Sequence, residues 1–430
     1  MTKIKIKELK KYIGQEIEIR GFVYNVREQG SIVFLIIRDI SGTVQCVATK
    51  SNEEVFKKIK KITLESSIEL KGIVKEENKV FQGFEVEIFS LNVISKCENA
   101  LPIPVYEKSG QTTFGICLEH RFLDLRKPKN ALIIKLSSAF DNYYREFLTK
   151  KGFLEIHTPK LMATPSESSS DLFEVKYFDR AAYLAQSPQL YKQMAIASGL
   201  EKVFEIGPIF RAEKSFTTRH ATECTCYDIE MSYIKSHEDI MKLEERLITY
   251  IITKIKKNFG EEIKQLYNID ISIPKLPFPR ITMAEAKYIL GSKNLESDLS
   301  SEEEKTIGEY FLKKGQEFVF ITDFPISVRP FYHKRHKNKS TTKSADLLYK
   351  GLEITTLAQR EENYETLTAQ LKEKGIGQTE LQWYLDFFKY GTPPHGGWGF
   401  GGARFIMKML ELKSIKEAMY IYRGVNHINP

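Results

Sequence analysis

The first hundred residues break into short β-branched runs bounded by turn-forming residues, and that punctuation limits the fold more than any other feature. "EIEIRGFVYNV", "SIVFLIIRDISGTVQCVAT", "SSIELKGIVKE" and "FEVEIFSLNVIS" partly alternate apolar with polar residues and are separated by Gly, Ser, Asn and Lys. Alternation with period two is the mark of a strand with one buried face. One helical run, "NEEVFKKIKKI", interrupts them after Asn52. About five strands with one helix suit a small Greek-key barrel of the OB type, whose face commonly binds single-stranded nucleic acid. A barrel used only as a structural or dimerisation module is the competing reading, because a fold does not dictate a function.

After "ENALPIPVYEKSGQTT", a linker-like stretch with two closely spaced prolines, the texture changes. "ALIIKLSSAFDNYYREFLTKKGF" has helical spacing and stops at Gly152. "SHEDIMKLEERLITYIITKIKK" opens on a capping box of Ser236 and Asp239 and places Ile240, Leu243, Leu247 and Ile251 on one face. The strands "AAYLA", "KVFEIGPIF", "CYDIEMSYI", "FVFITDF" and "LLYKGLEIT" do not alternate regularly with helices. The expected class is therefore α+β, with a largely antiparallel sheet flanked by helices. The expected organisation is a barrel over 1–102, a linker over 103–130 and a second domain over 131–430.

A hydrophobic fraction of 42% and a charged fraction of 28% are those of an ordinary globular protein, which argues against disorder. No apolar run reaches membrane-spanning length, and "MTKIKIKELKKY" lacks the apolar core of a signal peptide, so a cytoplasmic protein with no membrane partner is expected. The net charge of +8 is compatible with a polyanionic partner. Of five cysteines only Cys224 and Cys226 lie close, and "ECTCYD" without a second Cys or His pair is a poor zinc signature. Structural thiols are expected.

Four stretches carry polar chemistry. "AYLAQSPQLYKQ" crowds amides, a hydroxyl and Lys192 behind an apolar segment, so it is either a wet turn or a pocket expecting a ligand. "VFEIGPIFRAEKSFTTRHATECTCYDIEMSYI" reads as two strands joined by a tip holding Arg211, Glu213, Lys214, Arg219 and His220. Guanidinium forks grip phosphate oxygens; a solvated tip explains Lys214 and Arg219 equally well, but not Arg211, which follows apolar "IGPIF". In "SADLLYKGLEITTLAQREENYE", Asp346 and Glu353 lie seven apart across what reads as one strand, with Thr356 and Arg360 beyond. Such oxygen donors suit a divalent cation, although acids at strand ends are commonly just solvated. "GTPPHGGWGFGGARF" has six glycines in twelve residues, which let backbone approach a ligand or another strand closely, before Arg404 opens a helix. No GK[ST] follows, so it is not a Walker loop.

Together these stretches resemble the three signature motifs of class II aminoacyl-tRNA synthetases: "GFLEIHTPKL" with Pro159 for motif 1, "GPIFRAEKSFTTRH" for motif 2 and "GGWGFGGARF" for motif 3. Within that family the chain is most similar to aspartyl-tRNA synthetases of archaeal and eukaryotic type, through "RFLDLR", "QSPQLYKQ", "RPFY" and "YGTPPHGG" as well. The resemblance implies activation of L-aspartate by ATP with Mg2+, transfer to the 3′ end of tRNA(Asp), and a homodimer built on motif 1. Whether tRNA(Asn) is also charged is left open. By resemblance Arg211, Glu213 and Arg404 are catalytic. The ATP site would take these with Ala212, Arg219, His220, Ala221, Glu353, Gly401, Gly402 and Ala403, and the metal Glu353 and Thr356. The amino acid would meet Glu167, Gln189, Lys192, Arg211, Thr356 and Arg360. Lys192 and Arg360 would be the cations that separate aspartate from its isostere asparagine. Phe34, Gln45 and Glu85 would contact anticodon bases, and Tyr24 sits where relatives vary.

Several positions depart from the family pattern. Ala403 replaces an acid, Leu357 a glycine and Glu362 a histidine, Cys224 stands where an aromatic is common, and "IYRG" replaces "FPRD". Glu362 follows the asparaginyl pattern, so an asparaginyl enzyme and a non-catalytic tRNA-binding paralogue are the alternatives.

Overall fold

A computed structural model describes residues 4–80, 82–98, 100–106, 112–163, 171–292, 294–337 and 340–430, in two compact units, Met1–Ala131 and Leu132–Pro430. In the first, β1 (Glu16–Gln29), β2 (Ile32–Asp39), β3 (Gly42–Thr49), β4 (Ser67–Glu76) and β5 (Phe84–Ser95) close into a barrel in the order β1-β2-β3-β5-β4. Closure pairs every edge, which is why five short strands suffice. The alternation read from the sequence is realised: Val33, Leu35 and Ile37 point inward to a core shared with Ile17, Ile19, Val44 and Cys46. Tight curvature needs glycine, since a Cβ at Gly21 would lie 2.4 Å from Arg38 O and one at Gly72 2.5 Å from Glu87 O. The helix Glu53–Lys61 starts where Asn52 accepts a hydrogen bond from Val55 N at 3.2 Å.

The second unit adds β6 (Leu154–Glu155), β7 (Leu161–Met162), β8 (Glu174–Tyr177), β9 (Arg180–Leu184), β10 (Lys202–Phe210), β11 (Glu223–Ser232), β12 (Arg280–Thr282), β13 (Phe318–Thr322), β14 (Ser344–Tyr349), β15 (Leu352–Gln359) and β16 (His395–Phe400). Its main sheet runs β12-β13-β14-β15-β16-β11-β10-β6, antiparallel except for the outer pairs β12–β13 and β10–β6. Period two divides the chemistry of that sheet. Tyr227, Ile229, Leu347, Leu357, Trp398 and Phe400 pack with the helices Pro128–Lys150, His237–Tyr267 and Gly402–Met409 in one apolar core. The intervening positions, Asp228, Glu230, Asp346, Gly397 and Gly399, belong to the other face. The capping box of Ser236 and Asp239 is present as the sequence indicates, and the helix it opens runs on to Tyr267. Among the described residues no helix is long and apolar enough to cross a membrane, and all five cysteines are free thiols.

Two local readings are corrected. "LLYKGLEIT" is not one strand but the hairpin of β14 and β15, turning at Lys350 and Gly351, whose φ values are 46° and 72°. Asp346 therefore sits opposite Thr356 across the ladder instead of seven residues along one strand from Glu353. Of the two readings of the polar stretch after β9, the wet turn is excluded: the stretch forms the helix Gln189–Ala197, which buries Gln189, Lys192 and Gln193.

Glycines in β16 are set by strand approach. A Cβ on Gly397 would lie 1.9 Å from Ile229 O and 2.6 Å from Glu230 Oε2, and one on Gly396 2.5 Å from Ala358 O. Gly397→Ala is expected to destabilise the unit by roughly 3 kcal/mol or more, read as a lower thermal unfolding midpoint.

Glu244, on the sheet-facing side of the helix His237–Tyr267, is wholly buried, and among the described residues neither oxygen closes a hydrogen bond. Burial, opposed by the nearby Thr355 hydroxyl and reinforced by Glu245 and Asp346, pushes its pKa to about 8. The folded chain then keeps a proton that the unfolded chain loses near about pH 4, so stability falls as pH rises from there to about 8 and is level above it. Glu244→Gln is expected to raise the unfolding midpoint at pH 8 and to narrow the gap from wild type at pH 5, measured by thermal denaturation at the two pH values.

Candidate active site

β10 and β11 pair in strict register from Lys202↔Met231 to Phe210↔Glu223, so the charged segment between them is a hairpin tip over the polar face of the sheet. A cavity of about 260 Å³ opens there. Arg211, Glu213, Arg219, His220 and Ala221 line it from the tip, Glu353, Thr356 and Arg360 from β15 and its end, Gly401, Ala403 and Arg404 from the turn after β16, and Gln189 from its helix. These were separate stretches in the sequence. Ala212 and Gly402 are not part of this lining; Gly402 faces an adjoining cavity of about 470 Å³ and abuts the Tyr227 ring, where a Cβ would come within 2.4 Å. The larger cavity holds fewer of the cationic groups, so the smaller one is the candidate site. Glu167 lies outside the described residues.

At one end three arginines each meet a carboxylate. Arg211 is 3.8 Å from Glu213, Arg219 2.7 Å from Glu304, and Arg404 donates to Glu353 O at 3.0 Å and to Glu353 Oε2 at 3.3 Å. Glu304 also accepts from Glu353 N at 2.9 Å, so one buried acid ties the hairpin tip to β15. His220 is held by the Ser215 and Thr217 hydroxyls. Burial, then the neighbouring Arg404, lowers its pKa, which keeps the ring neutral. Cys224 lines the same cavity, and burial raises its thiol pKa, so it is inert surface instead of a nucleophile.

At the other end lies a buried charge cluster. Lys192 Nζ donates to Asp228 Oδ1 at 2.7 Å, Trp398 O at 3.0 Å and Ile229 O at 3.2 Å, and stands 3.6 Å from Glu230 Oε2. An ammonium has three hydrogens, and all three are taken. Lys192 is fully buried and is not among the residues that line the cavity; it holds Asp228, which is. Arg360 does line it. Its Nε donates to Glu230 Oε1 at 2.9 Å, its NH2 to Glu230 Oε2 at 3.3 Å and Gly397 O at 3.2 Å, and its NH1 to His333 Nε2 at 3.1 Å. Four of five guanidinium hydrogens are engaged among the described residues. Burial would raise the pKa of Glu230, but Arg360 and then Lys192 outweigh it and hold the carboxyl ionised.

Thr356 donates to Glu353 Oε1 at 3.2 Å. Beside them Asp346 accepts from Arg329 through Oδ2 at 2.6 Å, while its buried Oδ1 has no hydrogen-bond partner among the described residues. Among the described residues no group of three or more His, Cys, Asp and Glu forms a protein-only metal cage. Leu357, one of the unusual positions, is wholly buried in the apolar core opposite Trp398, away from this site. Asp228 and Glu230 were legible as an acid–apolar–acid alternation in "YDIEM", Arg329 and His333 stand in the "RPFYH" segment, and Glu304 had no signal, being one acid among several on a helix.

On the barrel, Phe34, Gln45 and Glu85 come together on the outer face. Gln45 Nε2 donates to Glu85 Oε2 at 2.9 Å, and Arg27 donates to Gln45 Oε1 at 3.4 Å while its guanidinium lies 6.0 Å from the Phe34 ring centroid. Phe34 is half-buried, whereas its neighbours Val33 and Leu35 fill the core.

The chain thus combines a cleft lined by cationic groups, on the polar face of a largely antiparallel sheet, with an OB-type barrel, a fold that commonly binds nucleic acid. Comparison with known families agrees. Residues 115–421 match the model of "tRNA synthetases class II (D, K and N)", and residues 17–94 match "OB-fold nucleic acid binding domain". An aspartate–tRNA(Asp) ligase of Pyrococcus abyssi is 43% identical over 425 residues, covering 97% of both chains. An aspartate–tRNA(Asp/Asn) ligase of Methanocaldococcus jannaschii is 42% identical, covering 97% of this chain and 95% of its own. The solved asparaginyl-tRNA synthetase of Pyrococcus horikoshii with asparaginyl-adenylate superimposes with a TM-score of 0.92 at 34% identity, covering all of both chains. This chain belongs to the class II tRNA synthetases of the D, K and N group, with an N-terminal OB-fold domain.

Proposed function

We propose that the protein is an aspartate–tRNA ligase, which forms aspartyl-adenylate from L-aspartate and ATP and passes the aspartyl group to the 3′ end of tRNA(Asp). The observation that carries this reading is Arg360, a buried guanidinium held by Glu230 at the wall of the cavity, with one N–H unengaged among the described residues. A carboxylate satisfies that donor with full charge, and the amide of asparagine with only a dipole. Identity to aspartate ligases near and above 40% supports the same choice.

In this reading the substrate α-carboxylate attacks the α-phosphorus and pyrophosphate leaves. The nucleophile is already ionised, so the task of the protein is positioning and charge stabilisation. Arg211 would hold the α-phosphate and the reacting carboxylate, Glu213 the adenine side, Arg219 and His220 the distal phosphates, and Arg404 the γ-phosphate. Each arginine would trade its present carboxylate for phosphate oxygens. Glu353 and Thr356, with the unpartnered Asp346 Oδ1 beside them, offer only oxygen donors, which fits Mg2+. When bound, that ion would neutralise charge developing between the phosphates. The terminal adenosine of the tRNA then attacks the activated carbonyl and AMP leaves. Phe34, Gln45 and Glu85 would read the anticodon. A second copy of the chain would pack on the motif 1 segment, where Leu154 and Leu161 are about half exposed.

The asparaginyl reading keeps support from Glu362 and from the 0.92 superposition. Amino-acid-dependent exchange of pyrophosphate into ATP separates the readings. Aspartate should support exchange and asparagine should not; the reverse identifies an asparaginyl enzyme, and no exchange with either identifies a non-catalytic paralogue. Arg360→Gln is expected to raise the KM for aspartate by about 30-fold or more and to leave that for ATP nearly unchanged. Charging of purified tRNA(Asp) and tRNA(Asn) side by side decides the acceptor.

A further inference from the structure

A carboxamide can turn either a carbonyl or an NH2 toward a ligand, and for Gln189 the choice is dictated from well behind the cavity. His395 is wholly buried, and its Nδ1 lies 2.8 Å from Pro393 O. A carbonyl oxygen only accepts, so Nδ1 carries the proton. In the neutral ring Nε2 is then a bare acceptor. Gln193, also wholly buried, stands 2.9 Å from it and must present its NH2 there. That orients Gln193 Oε1 away from His395, where it accepts from Tyr384 Oη at 3.0 Å and from Gln189 Nε2 at 2.9 Å. With its NH2 committed to Gln193, Gln189 turns Oε1 the other way, and among the described residues nothing hydrogen-bonds that oxygen. Gln189 lines the cavity together with Asp228 and Arg360. The relay is also held sterically, because the Phe388 ring stacks on His395 at 6.1 Å with 27° between planes.

We propose that His395 and Gln193 set the polarity of the amino-acid pocket, by locking Gln189 so that its carbonyl accepts from the α-ammonium group of the substrate. Both are positioning residues and touch no substrate. Without the relay the Gln189 amide is free to flip, and an NH2 facing an ammonium group exchanges an attractive contact for a repulsive one. The inference rests on the reading that the cavity takes an amino acid, but not on which one, since aspartate and asparagine carry the same ammonium group.

The test is steady-state pyrophosphate exchange with whichever of the two amino acids the wild type activates. His395→Phe keeps the ring and its stack on Phe388 and removes both nitrogens. It is expected to raise the KM for the amino acid by about ten- to hundredfold, the worth of a hydrogen bond to a charged group, with kcat and the KM for ATP little changed. His395→Gln restores an acceptor opposite Gln193 and should recover most of the loss. Succinate, which has the carboxylates of aspartate and no ammonium group, should inhibit the wild type and His395→Phe with the same Ki; for an asparagine-activating wild type, succinamate is used instead. Should His395→Phe fold poorly by circular dichroism, Gln193→Met breaks the relay at its middle with the same expected pattern. An unchanged amino-acid KM overturns the proposal, as does a succinate or succinamate Ki that rises in parallel, which would mean general distortion of the pocket. A wild type that exchanges with neither amino acid sinks the functional reading first and takes the relay with it.

Discussion

Four ionised groups, Lys192, Asp228, Glu230 and Arg360, share the closed end of the cleft almost wholly out of water. Removing such charges from solvent costs several kcal/mol each unless partners and geometry are good. Here the partners come from a helix, from β11 and from the end of β15, with carbonyls of β11 and β16 closing the shell. The cluster is neutral as a set, so the rest of the unit is shaped to keep all four in place. The glycines of β16 belong to that constraint: any side chain at Gly397 would displace both the Ile229 carbonyl and the Glu230 carboxylate. A motif that reads as a backbone cradle for a ligand is, at this point, a backbone cradle for a buried ion pair.

This arrangement also changes how charge discrimination works. From sequence, Lys192 and Arg360 look like two cations waiting for one carboxylate. In the fold they are already paired, Lys192 with Asp228 and Arg360 with Glu230, and of the two only Arg360 is among the residues that line the cavity. The pocket is therefore a preorganised field in which donors and acceptors are fixed before a ligand arrives, which costs less on binding than a pair of loose cations. The same logic extends to neutral groups, since the orientation of Gln189 follows from a proton on His395.

Departures from the family pattern sort by position. Leu357 lies in the apolar core and is matched by packing against Trp398, so its change from glycine concerns the helix side of the sheet. Glu362 pairs with Lys334 and stays out of the cavity lining. Ala403 and Cys224 line both cavities.

What the sequence determined by itself was local: barrel strands from period two, the capped helix at Ser236, the cationic tip between β10 and β11, and the glycine stretch ahead of Arg404. Each rests on spacing within a dozen residues, where backbone geometry alone dictates which side chains share a face. Only the tertiary structure decided that "LLYKGLEIT" folds back on itself, that Glu304 anchors Arg219, and that Lys192 pairs with Asp228. Those outcomes depend on pairings between residues 36, 85 and 206 positions apart. A one-dimensional pattern carries no information on which distant carboxylate or carbonyl will satisfy a buried cation, because that partner is chosen by sheet order and strand register.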